Sequence, residues 1–163
     1  MFYEELFKAL NEKRVDYIVV GGVALVLHGV VRLTADLDLA VDLEGKNLKK
    51  LISCMAELGY KPVAPVKPED LLNDSLREKW IREKNMRAFG FHHLKNPGLV
   101  DIIIEMPVKY QELKKHAVRI KAGDLNIPVV SVEDLIEIKR RTGRPQDEAD
   151  IQALREAKKN AGK

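Results

Sequence analysis

The sequence has one cysteine, few aromatic residues and no long apolar run. Cys54 is the only cysteine among 163 residues, so a disulfide within the chain is excluded, and we expect a reducing, cytoplasmic setting. The longest uncharged run, Tyr17 to Val31, is shorter than the roughly 20 residues that a membrane-spanning helix needs, and Gly21-Gly22 interrupts it. Glu4 and Glu5 stand where a signal peptide carries positive charge, so we predict neither a signal peptide nor a membrane anchor.

The chain also has little excess charge of either sign. Its 28 Lys and Arg are interspersed with 25 Asp and Glu, for a formal net charge of +3. A dedicated DNA-binding module concentrates positive charge far more strongly, although this balance still accommodates an anionic ligand. The length suits one domain with a single core, and no internal repeat or low-complexity segment occurs.

Apolar periodicity and turn residues predict an α/β or α+β fold with a mixed β-sheet flanked by helices. We expect a single domain over 1–163, with a core over 15–106 and a C-terminal helical part over 131–160. The predicted helices cover 2–14, 23–28, 47–58, 69–85, 108–117, 131–142 and 146–160. The predicted strands cover 16–20, 34–43, 88–93, 99–106, 118–120 and 127–130, and 62–68 is expected to be a loop.

The predicted strand 34–43 carries the first candidate site residues. Its period of two sends the leucines to one face and Asp36, Asp38 and Asp42 to the other. At about 3.3 Å per residue, Asp36 and Asp38 are about 7 Å apart, so their carboxylates could share a cation. Asp42 lies nearer the strand end and is expected to be solvent-exposed.

Asp101 is the third candidate, because a lone carboxylate inside the apolar strand 99–104 is costly unless it is paired or binds a metal ion. Oxygen ligands without a Cys or His cluster favour Mg²⁺ or Mn²⁺. Three carboxylates can hold two such ions about 3.5 to 4 Å apart for displacement at phosphorus. Gly21-Gly22, followed by a helix, lets backbone N–H groups approach phosphate oxygens.

Together these residues resemble the signature of the DNA polymerase beta nucleotidyltransferase superfamily. Val20-Gly21-Gly22 is followed after thirteen residues by Asp36-Leu37-Asp38-Leu39, and Asp101 lies on a later strand. The resemblance spans roughly 15–105. It implies that Asp36 and Asp38 hold both metal ions, that Asp101 holds the catalytic one and helps to deprotonate an acceptor hydroxyl, and that the glycines contact the β- and γ-phosphates.

A finer resemblance covers three further segments, 32–38, 135–139 and 143–150. They are similar to the AbiEii-type toxin branch and to related minimal nucleotidyltransferases. The resemblance implies that Lys139 and Arg144 face the triphosphate, that an antitoxin protein could be a partner, and that the acceptor could be tRNA, another nucleic acid, a protein or a small molecule. Lys139 also flanks the inward face of its helix, since it follows Leu135 by four residues.

Several other residues have simpler interpretations. Arg32 is a nucleotide-binding candidate, but pairing with Asp36 would also account for it. Asp147 and Asp150 are expected to stabilise the start of the last helix and could also orient Lys139 or Arg144. The remaining candidates are expected to be structural or solvent-exposed: His28, His92, His93, His116 and Glu105.

The sequence therefore predicts an enzyme that moves a nucleoside monophosphate from an NTP to an acceptor. Two alternatives stay open. One is a nucleotide-binding module of the same fold that lacks turnover and acts through a protein partner. The other is a non-enzymatic nucleic-acid-binding protein, which would need a concentrated basic face that the sequence does not show.

Overall fold

The computed structural model describes residues 3–161, so Phe2 of the first predicted helix lies outside the described residues. Within that range the helices are α1 (Glu4–Glu12), α2 (Gly21–Leu27), α3 (Gly45–Glu57), α4 (Asp74–Lys84), α5 (Tyr110–His116), α6 (Val132–Thr142) and α7 (Pro145–Ala161). A short 3-10 helix, Pro68–Leu72, precedes α4. Across residues 3–161, no helix combines the length and the apolar character that crossing a bilayer requires.

The strands form one mixed sheet, as the sequence predicts. They are β1 (Tyr17–Val20), β2 (Leu37–Val41), β3 (Lys61–Pro62), β4 (Ala88–His93), β5 (Asn96–Ile103), β6 (Val118–Ala122) and β7 (Leu125–Val129). Their order is β3-β4-β5-β2-β1-β7-β6. β2 runs parallel to β5 and antiparallel to β1, which in turn runs parallel to β7.

The apolar residues of the central strands produce one continuous core. Leu37, Leu39 and Val41 alternate along β2 and are fully buried, while Asp38 between them points to the other face and is half-buried. They join α1 and α3 residues such as Phe7 and Leu51 in the core. Burying these side chains supplies most of the driving force for folding.

β2 starts later than the predicted strand 34–43, because β1 ends there and β5 bonds to the Asp36 side chain instead of to its backbone. β1 stops at Val20, opposite Asp38, where the chain turns into α2. On the other side the N–H of Leu99 donates to the Asp36 side chain instead of to a backbone carbonyl. Asp36 therefore precedes the strand, and Val31 and Leu33 in the connecting segment are fully exposed.

Two further elements differ from the sequence-based expectation. Lys61 and Pro62 form an edge strand against β4, where Pro62 can be accommodated at a sheet edge, although 62–68 is predicted as a loop. The β4–β5 hairpin turns at Leu94-Lys95, since β5 already begins at Asn96. Both predicted hairpins, β4–β5 and β6–β7, are confirmed as antiparallel pairs.

α6 and α7 form the C-terminal helical pair. The Ser131 hydroxyl accepts a hydrogen bond from the N–H of Asp134 and caps α6, as expected from its position. Gly143 ends α6 with a φ of 64°, a conformation that favours glycine. The chain then enters α7 at Pro145, so the side chains of the two helices meet beside the sheet.

Candidate active site

Asp38 and Asp101 form the centre of the site. β2 and β5 are parallel neighbours whose register places Asp38 directly beside Asp101 on the same face of the sheet. When Asp38 is protonated, its carboxyl group can donate a hydrogen bond to Asp101. Burial, then the charge of Asp101 and that of Asp36, raises the pKa of Asp38 to about 6. Burial and Asp36 also raise the pKa of Asp101.

Asp36 lies next to this pair but is held differently. Its Oδ1 accepts a hydrogen bond from the N–H of Leu99 at 2.8 Å, which fixes the end of the connecting segment to β5. Its charge acts on both other carboxyl groups. The structure thus brings all three predicted acids into one neighbourhood, with Asp38 and Asp101 in direct contact.

The donor chemistry of these acids fits a hard divalent cation. Three carboxylates supply only oxygen ligands, and the raised pKa values of Asp38 and Asp101 reflect burial first and then neighbouring like charges, both of which a bound cation would offset. Among residues 3–161, no three His, Cys, Asp or Glu side chains are already arranged around a metal position. A three-carboxylate site would therefore need the Asp36 side chain to turn from Leu99.

Gly21 is packed against Asp38. It starts α2 with a φ of 68°, which L-residues rarely adopt, and a Cβ at this position would overlap the Asp38 carboxylate. At Gly22 a Cβ would lie only 2.7 Å from Thr34 Oγ1, in the segment that leads to Asp36. Both glycines are thus required by close approach, and they place backbone N–H groups beside the acids.

A cleft of about 540 Å³ opens beside Gly21 and Asp38. Lys139 of α6 and Arg144 of the turn after it also line this cleft, and their role toward a triphosphate stays a prediction. A larger cavity, about 690 Å³, lies at the opposite end of β1 beside Tyr17 and Arg119. We assign the chemistry to the smaller cleft, because Asp38 and Gly21 line it.

Lys139 is buried at the edge of this cleft by an ion-pair network. Its Nζ lies 2.9 Å from Asp150 Oδ2 and 3.6 Å from Asp147 Oδ1. The Arg32 guanidinium also contacts Asp150 Oδ2, at 2.5 Å. The possible Arg32–Asp36 pair is therefore wrong: Arg32 instead ties the segment before β2 to α7, because the buried Asp150 carboxylate needs compensating charge.

Asp147 organises the turn between α6 and α7. Burial alone would raise its pKa, but hydrogen bonds from the Arg144 side chain, Thr142 Oγ1 and the Arg144 N–H lower it to about 2. The Arg144 side chain is 69% exposed, so it reaches the cleft from the solvent side. Asp147 and Asp150 thus pair with Lys139 and Arg144, the orienting contacts that their position at the start of the last helix made one expectation.

Three of the histidines contact groups outside the site formed by Asp36, Asp38 and Asp101. His28 and His93 each contact a backbone carbonyl, those of Val130 and Leu58, and His116 contacts Asp134. Sequence reasoning missed two residues that do border the cleft as a pair, Arg87 and Glu105. Arg87 lies in a charged stretch and Glu105 follows a strand, so neither carries a local signal for this role.

Comparisons with known proteins agree with this geometry. A family model described as "Nucleotidyltransferase of unknown function (DUF6036)" matches residues 3–158. Among curated proteins, none is matched by the sequence.

Solved structures share the fold. The lincosamide antibiotic adenylyltransferase LnuA, bound to lincomycin, has a TM-score of 0.60 at 19% identity and covers 93% of this chain and 95% of its own. ANT(2")-Ia in complex with adenylyl-2"-tobramycin has a TM-score of 0.56 at 14% identity, covering 92% and 83%. An antigenic nucleotidyltransferase-like protein from Paracoccidioides brasiliensis scores 0.54 at 16% identity, covering 91% and 71%. At these identities the likeness shows the fold.

Proposed function

Because the chain belongs to the DUF6036 family of nucleotidyltransferases of unknown function, we propose that it moves a nucleoside monophosphate from an NTP to an acceptor hydroxyl with the help of a divalent metal ion. The observation that carries the proposal is the contact between Asp38 and Asp101 across parallel strands, with Gly21 packed against Asp38. A merely structural pair of acids would not need a glycine turn and an open cleft at the same place.

Asp36, Asp38 and Asp101 would hold Mg²⁺ or Mn²⁺. Such an ion neutralises charge on the phosphates and stabilises the attacking and leaving oxygens of an in-line displacement. Asp101 accepts the proton of the acceptor hydroxyl as its oxygen attacks the α-phosphorus, and pyrophosphate leaves. Asp38 lies beside Asp101 at the paired position of β2, so the two carboxylates face the same ion and the same attacking hydroxyl.

The remaining candidates bind the triphosphate. Gly21 and Gly22 present backbone N–H groups to the β- and γ-phosphates, as the family resemblance implies. Lys139 supplies a positive charge whose position Asp147 and Asp150 fix, and Arg144 adds a second charge from the solvent side. Arg32 contributes indirectly, since its guanidinium already pairs with Asp150 and steadies the segment that ends at Asp36.

The proposed acceptor is a compound with a free hydroxyl group. The two adenylyltransferases of similar fold have a lincosamide and an aminoglycoside in their structures, which supports a small molecule as one class of acceptor. The resemblance to the AbiEii-type branch adds a tRNA or protein acceptor, with the chain as the toxin of a toxin–antitoxin pair. This finer assignment stays a prediction.

The test is label transfer by the purified chain. We would incubate it with Mg²⁺ and each α-³²P-labelled NTP, in separate reactions with total RNA, cell extract and a panel of aminoglycosides and lincosamides. Transfer by the wild type and loss of transfer in Asp38→Asn and Asp101→Asn would support the proposal. Glu57→Gln, which alters an exposed ion pair with Lys13, is the control and should transfer normally.

Two outcomes would contradict the enzymatic proposal. Tight NTP binding without label on any acceptor would favour the module without turnover. Binding of RNA in the absence of NTP, with no binding of NTP itself, would favour the nucleic-acid-binding protein.

A further inference from the structure

The lining of the cleft is chemically mixed. Gly21, Asp38 and Lys139 contribute backbone and charged groups, beside which the triphosphate is proposed to bind. Met106, Pro107 and Ile138 contribute apolar surface. A flat aromatic ring gains most from burial against such aliphatic side chains, so this apolar surface is suited to the nucleobase.

The direction of β5 orders the residues along the cleft. Asp101 and Ile103 lie on the same face of the strand, and Glu105 follows two residues after the strand ends at Ile103. Ile103 and Glu105 both line the cleft. A nucleotide whose α-phosphorus lies at Asp101 can therefore extend past the end of β5 with its base toward Glu105.

Arg87 and Glu105 form an ion pair in the lining of the cleft. Arg87 Nη1 lies 3.1 Å from Glu105 Oε1, and the side chains are 59% and 40% exposed, so solvent and ligand can reach both. Within residues 3–161, Arg87 Nη2 and Glu105 Oε2 take part in no hydrogen bond. Arg141, the other cation there, already donates to the Pro107 carbonyl and to Glu137.

The pair presents a donor next to a carboxylate acceptor. Guanine offers an acceptor, O6, followed by two neighbouring donors, N1–H and N2–H₂, which a carboxylate can accept together. Adenine and cytosine each offer a single exocyclic donor beside ring acceptors, and uracil a single donor between two carbonyls. Each of the four bases offers a donor beside an acceptor, but guanine alone adds a second neighbouring donor, so only guanine can donate twice to the Glu105 carboxylate while O6 accepts from Arg87.

We propose that Arg87 and Glu105 select guanine and that GTP is the preferred nucleotide, an inference that rests on the proposed nucleotidyl transfer. Arg87 donates to O6, Glu105 accepts from N1–H and N2–H₂, and Met106 contacts the ring face. The hydrogen bonds to a charged carboxylate carry most of the discrimination, because the apolar contacts are open to any base.

The test is calorimetric titration of the full chain, in Mg²⁺, with the α,β-methylene analogues of GTP, ATP, CTP and UTP, which cannot transfer their nucleotide. We expect the GTP analogue to bind about tenfold more tightly than the others. Glu105→Gln should bring its affinity to that of the others, and Glu57→Gln, at a comparably exposed ion pair, should change nothing. Glu105 is exposed enough for its variant to fold, which the melting temperature would verify.

A second variant checks the position of the base. Met106→Ala should weaken all four analogues by a similar factor, because it removes apolar contact and no hydrogen bond. Equal affinities for the four analogues, or a guanine preference that survives Glu105→Gln, would overturn the inference and leave nucleotidyl transfer standing. Failure of all four analogues to bind would instead count against the proposed function itself.

Discussion

Asp38 of β2 and Asp101 of β5 stand side by side on parallel strands, so close that protonated Asp38 can donate a hydrogen bond to Asp101. Two acids rarely occupy such positions for the sake of stability, because each makes the other harder to ionise. Asp38 has the larger share of burial, and its pKa is raised to about 6. The site therefore carries a cost in the folded state that a bound cation can offset.

This cost leads to a prediction about Asp38→Asn in EDTA. The folded-state pKa of Asp38, about 6, lies above the unfolded value of about 3.9, so ionised Asp38 destabilises the fold above pH 6. The effect disappears as the pH falls from 6 to 4. We expect Asp38→Asn to raise the free energy of unfolding by about 3 kcal/mol at most at pH 7.5, and by nearly nothing at pH 4.

Urea unfolding of the wild type and of Asp38→Asn at pH 7.5 and pH 4 measures this change in the free energy of unfolding. Mg²⁺ added at pH 7.5 should stabilise the wild type and leave Asp38→Asn unchanged, since a ligand that binds the folded state shifts its stability. A variant less stable than the wild type at pH 7.5 would show that the carboxyl pair is held favourably without a cation.

A second prediction compares two glycines with similar backbone angles. Gly21 has a φ of 68° and Gly123, in the β6–β7 turn, a φ of 62°. Alanine at either position pays about 1 to 2 kcal/mol for the left-handed conformation. Only at position 21 does the added methyl group overlap Asp38, whereas a Cβ at position 123 meets nothing within 4 Å.

Gly21→Ala should therefore lower nucleotidyl transfer by about 100-fold, because displacement of a reacting group by about 1 Å has that effect. Gly123→Ala should keep its activity, while thermal melting should show a loss of stability in both variants that is larger for Gly21→Ala, because its methyl group also displaces Asp38. Equal transfer rates for the two variants would mean that Gly21 has no role beyond the turn.

A third prediction concerns Asp147. Hydrogen bonds from Arg144 and Thr142 outweigh burial and lower the pKa of Asp147 to about 2, below its unfolded value. Ionised Asp147 therefore stabilises the fold above about pH 4, and this contribution is lost as the pH falls toward 2. We expect Asp147→Asn to reduce the free energy of unfolding by about 2 kcal/mol at pH 7.

Chemical denaturation of both proteins between pH 7 and pH 2 would follow the effect, and the two stability curves should converge at the acidic end. Glu148→Gln, which alters an exposed neighbour on α7, serves as the control and should follow the wild type throughout. A constant difference across the range would assign the stabilisation to the shape of Asp147 and exclude its charge as the cause.

Some of this site could be predicted from sequence because its signals are local. The Asp36-x-Asp38 spacing, the glycine pair before a helix and a lone acid in an apolar strand each have a physical meaning within a few residues. Arg32 could not be placed in the same way, since its partner Asp150 is 118 residues away. The later start of β2 also depends on where β1 ends and on the hydrogen bond from Leu99 to the Asp36 side chain, which only the assembled sheet determines.

The Arg32–Asp150 ion pair gives the C-terminal helix an influence on residues that it never contacts. A truncation after Gly143 would leave every strand and all three acids in the chain. It would nevertheless release Arg32, and with it the stretch that carries Asp36 into the sheet. Losing the last helix would therefore disturb the position of Asp36, although the helix itself carries none of the three acids.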